Sequence, residues 1–500
     1  MTSIDKAPCV DDYDKVLVDI TRYVFEYGIT SPLAWKRARI ALLDALGCTI
    51  ETLHASPECV AMLGPIVPGT LTPNGFRLPG TSHELDPLKG AFDLASTIRY
   101  LDHNDAYPGA EWGHPSDNLG ALLAVSDWLS RSKASSIQAN GSTNGVIEHQ
   151  PPPMTLRTLL TAQIKAYEIQ GCLQEKNALN AVGLDHTVLV KIASTACVSW
   201  LLGLSQSETL AALSQAFQDG QPLRTYRQAP NTGPRKGWAA GDACMRAVMM
   251  AFLTSKGQPG APTVLTAEKW GFYETLFRGK EFVLKRPYES WVMESVGFKL
   301  YPVEGHAISA CEAALKLVDA MKQSSFLPEY DIESVKIRTQ GPAFTIVNKQ
   351  GPLRNAADRD HCIQYIVAVI LLKGTTIDTA DYMDNSPWAS DPRVDALRAK
   401  MSVVEDPGFT EDYRNPKKRS CANAIEVRIK DWKKAIPEVV VEYPLGHPVR
   451  QDTLEQVAVK FKRNMSLAFG DEKIEEVLRA VEQDDMAVKD FVDLLWLGEE

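Results

Sequence analysis

Apolar side chains recur at three- and four-residue spacing over 11–27, 33–50, 86–101, 117–130, 155–182, 187–203, 206–218 and 239–255, which predicts amphipathic helices through the first part of the chain. Between 131 and 153 the chain is rich in Ser, Asn, Gly and Pro and reads as a surface loop inserted between two helices. After about 296 the pattern changes. A helix predicted over 306–323 is followed by three alternating, β-branched runs, IESVKIRTQ (332–340), AIEVRIK (424–430) and EVVVEY (438–443), which predict strands of an antiparallel sheet. Helical spacing returns over 453–468, 472–482 and 486–497. The expected fold is mainly α: a large all-helical domain from 1–295 and 446–500, with a smaller α+β domain over 296–445 inserted between its parts.

Composition narrows the class. A chain of 500 residues, 45% hydrophobic and 23% charged, buries enough surface to need neither disulfides nor a structural metal. Its charge, 53 − 63 = −10, is the wrong sign for a general nucleic-acid binder, so any anion must be met by a local cluster of cations. Nine cysteines are dispersed with no C-x-x-C, which gives no support to zinc ribbons, redox pairs or an iron–sulfur centre. The uncharged stretch 59–76 is broken by Pro65, Pro68 and Pro73, so no membrane span is expected. The amino-terminal segment carries Asp5, Asp11, Asp12 and Asp14 and no arginine before Arg22, and the last residues, LGEE, are no peroxisomal address; a cytoplasmic location is expected. G-x-G-x-x-G, G-x-S-x-G, H-E-x-x-H and the P-loop are absent, which disfavours dinucleotide enzymes, the usual serine hydrolases, zincins and P-loop enzymes.

Chemistry is concentrated in a few places. The run LDHNDAYPGAEWGHPSDNLG (101–120) holds Asp102, His103, Asp105, Glu111, His114 and Asp117. It reads as a polar loop whose Ser116, Asp117 and Asn118 cap the next helix, as a metal site of a hydrolase using Asp102, His114 and Asp117, or as an acid–base centre without metal. In RTYRQAPNTGPRKGWAAGD (224–242), Arg224, Arg227, Arg235 and Lys236 occupy a Pro/Gly-containing loop before a helix, a surface suited to carboxylates or phosphates. His186 falls at a helix start, and Lys299 and His306 at the seam of the two domains, where pockets tend to form.

The blocks GPIVPGT (64–70), AEWGHPSDNLG (110–120), GLDHTVLVKIAST (183–195), RTYRQAPNTGPRK (224–236), DRDHCIQY (358–365) and VVVEYPLGH (439–447) resemble, nearly end to end, the 2-methylcitrate dehydratase family (MmgE/PrpD), which also contains cis-aconitate decarboxylases. The resemblance implies a helical body, a smaller α+β lid, a homodimer, a site at the junction of the domains, a small-molecule tricarboxylate substrate, and no cofactor, metal, nucleic acid or membrane partner. Asp102, His114, His186, Lys236, Lys299 and His306 fall on positions similar to the family's active-site positions. Two motifs depart from the family. Where it reads D-F-N-D-T-W, this chain has Asp102-His103-Asn104-Asp105-Ala106-Tyr107, and P-A-E-F-H-x-Q-T becomes Pro302-Val303-Glu304-Gly305-His306-Ala307-Ile308-Ser309.

The implied reaction is β-elimination of water from a 2-alkylcitrate to an alkyl cis-aconitate. A proton α to a carboxylate is weakly acidic, so its removal needs a positioned base and cations against the charge that develops. His114 is the expected base, with His186 as the alternative; Lys299 or Lys236 assists loss of the hydroxyl, Asp102 orients a neighbouring cation, and Arg224, Arg227, Arg235 and His306 bind carboxylates. Ala106 and Gly305 are smaller than the residues they replace and are expected to open space for an alkyl chain longer than methyl, as in specialised metabolism making alkyl maleic anhydrides, with His103 and Tyr107 as residues that refill it. The competing expectations are 2-methylcitrate itself, a cis-aconitate-type decarboxylation, a metal-dependent hydrolase and an inactive binding protein.

Overall fold

The computed structural model describes residues 9–132, 150–228, 230–415, 417–430 and 436–498; of the loop expected over 131–153, positions 133–149 lie outside them. Two compact units are present. The larger holds the chain up to Tyr100, Asn104–Val296 and Ala458 onward, and the smaller holds Leu101–His103 and Gly297–Val457. Among the described residues no helix is long and apolar enough to cross a membrane.

Helices of eight residues or more are numbered in chain order. The larger unit contains α1 (Lys15–Glu26), α2 (Pro32–Ala55), α3 (Pro87–Arg99), α4 (Leu119–Arg131), α5 (Leu156–Gln174), α6 (Thr187–Leu201), α7 (Gln206–Gln218) and α8 (Arg235–Ser255). Their starts follow local chemistry. Ser31 accepts the Ala34 amide with Pro32 at the first turn, Asp86 accepts the Leu88 and Lys89 amides ahead of Pro87, and Ser205 forms a capping box with Glu208. Several boundaries differ from the periodicity; α2 runs on to Ala55, past the predicted 50, and the helix expected over 486–497 spans Val488–Asp493. The helix predicted over 155–182 ends at Gln174, where Asn177 turns back to the Leu173 carbonyl, and the chain continues into a short turn, Leu179–Val182, that closes at Gly183 with φ +86°. Helix α8 begins at Arg235 rather than 239, so Arg235 and Lys236 lie on its first turn and not in the preceding loop.

Helix α3 packs against α2, α4 and α8, and α6 against α5, α7 and α8. Every residue of α6 except Trp200 is buried, as expected for a helix surrounded by others. The α3–α4 crossing is close because Gly120 faces it: a Cβ there would stand 2.5 Å from Ala95 Cβ and 2.7 Å from the Ala95 nitrogen. Late in the chain, α12 (Thr453–Met465) lays Phe461 over Gly47 of α2, while Lys460 pairs with Asp44 at 2.8 Å and Asn464 donates to Glu51 at 2.9 Å, all of them buried. Helix α13 (Asp471–Ala480) follows it.

The smaller unit is built on α9 (Ile308–Gln323), α10 (Ile363–Lys373), α11 (Pro407–Arg414) and a four-stranded sheet of β1 (Ile332–Thr339), β2 (Met401–Glu405), β3 (Asn423–Ile429) and β4 (Val439–Val441), in the order β2-β1-β3-β4. The three strands predicted from alternation are present, and they pair with one another antiparallel. The sheet as a whole is mixed, because β2 joins β1 in parallel, which corrects the expectation of a purely antiparallel sheet. A parallel partner requires a crossover, and the helical segment containing α10 lies between the two strands in sequence. Helix α10, IQYIVAVILLK, has buried side chains from Ile363 through Leu371; a continuous apolar run carries no period from which to recognise a helix.

The close crossing at Gly120 carries a stability prediction. Gly120→Ala is expected to destabilise the protein by about 1–3 kcal/mol through overpacking, read as a lower unfolding midpoint. Gly28→Ala, where a Cβ meets nothing within 4 Å, should leave the midpoint nearly unchanged.

Candidate active site

In the larger unit the segment from Asn104 to Asn118 is held by its own polar side chains. Tyr107–Pro108 pairs with Trp112–Gly113 in a short antiparallel ladder, and Gln174 of α5 donates to the Tyr107 carbonyl. The Asp105 carboxylate accepts the Ser116 amide at 3.1 Å and the Ser116 hydroxyl at 2.6 Å, Asn104 donates to Asp117 at 3.0 Å, and Asn118 donates to Gln170 at 2.6 Å while accepting from Ser194 at 2.7 Å. In the loop reading of this run, Ser116, Asp117 and Asn118 cap α4. No side-chain cap is made there, because Ser116 and Asp117 bind Asn104 and Asp105 while Asn118 binds the Pro115 carbonyl, Gln170 and Ser194.

The fixed loop sets His114. Its Nδ1 lies 2.6 Å from the Asp105 carbonyl oxygen, which only accepts; in the neutral ring Nδ1 therefore carries the proton and Nε2 the lone pair. Beside it, with ring centroids 5.6 Å apart, stands His186 at the start of α6. His186 is 3% exposed, and among the described residues neither ring nitrogen has a hydrogen-bond partner. Burial pushes its pKa down, and Arg227, Arg224 and Arg99 reinforce this against the opposing pull of Asp185, holding it at about 3. Asp185 is itself buried; burial pushes its pKa up, but the charge of Arg227, the His186 ring, the Arg227 hydrogen bonds and Arg224 outweigh that and hold it well below the usual carboxylate range. Around this pair the buried carboxyls are shifted the other way. Burial raises Asp105 to about 6 and Asp117 to about 7, and Glu111, although it accepts the Leu179 and Asn180 amides at 3.0 and 3.1 Å, to about 7.

The basic segment is not one patch. Arg227 bonds both oxygens of Asp185, and Arg224 lies 3.4 Å from the same carboxylate, so these two guanidinium groups anchor the loop beside His186. Arg235 instead stacks on Trp238 at 4.2 Å, reaches Asp242 at 3.4 Å and lines a cleft of about 520 Å³ with Gln221, Tyr226, Asn231 and Arg246. Lys236 is half-buried on the first turn of α8, where the positive end of the helix dipole already disfavours a cation and favours an anion near it.

Asp102 and His103, read in the sequence as one run with His114, belong to the smaller unit. Asp102 adopts φ +54°, an uncommon conformation for a residue with a side chain, and Lys299 Nζ bonds both its carbonyl oxygen at 2.8 Å and its Oδ1 at 2.7 Å. Lys299 is 2% exposed. His306, also buried, lies between Glu304 and Tyr413, and Gly305 is in the same short turn, Gly305–Ala307. In the larger unit Ala106 is buried, and Tyr107 packs edge-on against Trp291 at 5.8 Å in the core. Among the described residues no group of three or more His, Cys, Asp or Glu side chains is arranged to hold a metal ion.

Two family models match successive parts of the chain, the MmgE/PrpD N-terminal domain over residues 18–285 and the MmgE/PrpD C-terminal domain over 301–484. The chain belongs to the MmgE/PrpD family. A 2-methylcitrate dehydratase-like protein, oryR, of Aspergillus oryzae is 54% identical over 97% of both chains. The alkylcitrate dehydratase phiI of a fungal species is 50% identical over 96% of this chain and 94% of its own, and the mitochondrial 2-methylcitrate dehydratase of Yarrowia lipolytica is 49% identical over 99% and 92%.

For this MmgE/PrpD chain, three buried or half-buried partners, one in the larger unit and two in the smaller, lacked any signal in the composition of their segments. Asp185 was hidden beside His186, Glu304 inside a motif read for its glycine, and Tyr413 in the segment PGFTEDYRN, more than a hundred residues from its partner His306.

The depressed value of His186 predicts its behaviour with pH. In a titration followed by NMR on histidine-labelled protein, the His186 ring should stay neutral from pH 8 down to pH 5. Because its folded value, about 3, lies below the ordinary 6.5, its contribution to stability is full above about pH 6.5 and is lost as pH falls toward about 3.

Proposed function

We propose that this chain is a hydro-lyase that removes water from a 2-alkylcitrate to give an alkyl cis-aconitate, with His114 Nε2 as the base. The observation that carries the assignment is the contact of His114 Nδ1 with the Asp105 carbonyl, which leaves the lone pair on the opposite nitrogen. His186, held neutral, is suited to donate or accept a hydrogen bond but not to act as an imidazolium acid at neutral pH. The proton leaves the carbon α to a carboxylate, the developing charge spreads onto that carboxylate, and fixed cations lower its energy. Lys236 and Lys299 are the cations we assign to this work, with Asp102 positioning Lys299. Arg235, on the first turn of α8, is the arginine best suited to a substrate carboxylate, since Arg224 and Arg227 serve Asp185. His114→Ala should lower turnover on 2-methylcitrate by about 10²–10⁴-fold without changing the unfolding midpoint. Prolonged chelation should leave turnover unaltered, whereas loss restored by one added metal would refute the scheme.

We propose further that the alkyl group is longer than methyl. Support comes from Ala106 and Gly305, both buried and both smaller than the family's residues at those positions, from the engagement of Tyr107 with Trp291, and from the relative named as an alkylcitrate dehydratase. Each methylene buried contributes about 0.8 kcal/mol, roughly a fourfold gain in affinity before ordering is counted. Hexylcitrate or octylcitrate should then exceed 2-methylcitrate in kcat/KM, and Gly305→Phe should reverse the order. A preference for 2-methylcitrate that Gly305→Phe leaves intact would favour the other reading, that of the relatives named 2-methylcitrate dehydratase.

A further inference from the structure

On α8, Arg235, Asp242 and Arg246 stand seven and four residues apart, so they share one face of the helix. They form one side of the cleft of about 520 Å³, and residues between Gly220 and Asn231 supply the rest of its lining. Its size falls within the roughly 300–1,000 Å³ of small-molecule sites. All of its lining belongs to the larger unit, and neither His114 nor His186 is part of it.

The walls are braced by their own hydrogen bonds. Gln221 donates to the Phe217 carbonyl at 2.7 Å, and the buried Lys191 donates to the Asp219 carbonyl at 2.8 Å and to Gln221 Oε1 at 3.3 Å. Arg246 places Nη1 on both oxygens of Asp219, at 2.9 and 3.1 Å, and Nε on Asp242 Oδ1 at 3.1 Å. Arg235 Nη2 lies 3.4 Å from Asp242 Oδ2. Two guanidinium groups therefore flank one carboxylate. Among the described residues, Arg235 Nε and Nη1, Arg246 Nη2, the Thr225 hydroxyl and the Asn231 side-chain amide have no hydrogen-bond partner.

This set of unused groups is rich in donors and calls for an anion. Arg235, Arg246 and Lys191 are three cations around two carboxylates, Asp219 and Asp242, and burial lowers Lys191 only to about 8, so it keeps its proton at neutral pH. Asp242 sets a second condition. An ionised carboxylate only accepts, so a ligand that reaches from Arg235 to Arg246 needs a hydrogen-bond donor between two anionic ends. A hydroxyl meets that need, whereas an ammonium group would stand among three cations.

We propose that this cleft is a binding site for a small hydroxy-polycarboxylate. One carboxylate sits on the free nitrogens of Arg235, a second on Arg246 Nη2, and the hydroxyl between them donates to Asp242. Thr225 and Asn231 supply further hydrogen bonds. The proposal rests on the dehydration reading only in that the substrate proposed there is an acid of this class. It gives Arg235 its surroundings, and it describes capture rather than chemistry, since His114 is not in the lining. An occupant would tie α8 to the segment that carries Arg224 and Arg227, the partners of Asp185.

The test is modification of arginine by phenylglyoxal in the whole chain, read residue by residue by peptide mass spectrometry. His114→Ala protein is used so that the ligand is not consumed, and the probes are citrate, tricarballylate, L-glutamate and inorganic phosphate at one ionic strength. Citrate should slow modification of Arg235 and Arg246 by about tenfold and leave the exposed Arg428 unaffected. Tricarballylate, which keeps the three carboxylates and lacks the hydroxyl, should need about tenfold higher concentration for the same protection, the worth of one hydrogen bond to a charged group. L-Glutamate and phosphate should protect less than citrate, and Asp242→Ala should erase the difference between citrate and tricarballylate. Unprotected Arg246 in millimolar citrate, equal protection by all four probes, or a citrate preference that survives Asp242→Ala would overturn the proposal. Water release from an alkylcitrate by the parent enzyme without protection of Arg246 would sink the cleft and keep the dehydration reading; protection without any water release would do the reverse.

Discussion

The Asp185 carboxylate is fully enclosed, and it keeps its charge because Arg227 and Arg224 close on it from a loop forty residues later. A buried charge of this kind is tolerable only when paired, and the pairing decides much of what surrounds it. It draws the segment 224–227 toward the start of α6, brings up the arginine charges that reinforce burial in keeping His186 neutral, and takes up two of the four cations in the basic segment. The remaining two, Arg235 and Lys236, stand on the first turn of α8. Removing either arginine from Asp185 would leave a charge in a dry interior, so the anchor and the histidine it influences form one energetic unit.

Two other histidines are held by contrasting means. His114 leans on a carbonyl oxygen, and His306 on a carboxylate. A carbonyl orients the ring and leaves its lone pair on the far nitrogen, which suits a base. A carboxylate holds a proton on the near nitrogen and turns the far one to Tyr413. Both orientations are maintained by short stretches of tightly bonded backbone, the 104–118 loop and the Gly305–Ala307 turn.

Much of the fold is legible along the chain because its signals are local. Ser31, Asp86 and Ser205 mark helix starts with side-chain caps, and the alternation in 332–340 and 424–430 gives β1 and β3 to within a residue or so. Where local signals fade, the expectations falter. Helix α10 is apolar on every side, and β2 is five residues long with no side chain fully buried, so neither carries a clear period. Ser116, Asp117 and Asn118 have the composition of a cap, yet their partners are Asn104, Asp105, Gln170 and Ser194, which only packing brings near.

The sequence by itself determined the family, the helical body and α+β unit, and the residue types that could act on a tricarboxylate, because motif order and hydrophobic period are properties of neighbouring positions. Only the tertiary structure decided which protonation state each group holds. Asp185 and Arg227 lie forty-two residues apart, and His306 and Tyr413 a hundred and seven, and no local pattern records such distances. The charge of a side chain depends on burial and on partners a few ångströms away, and those are set when the chain has closed on itself.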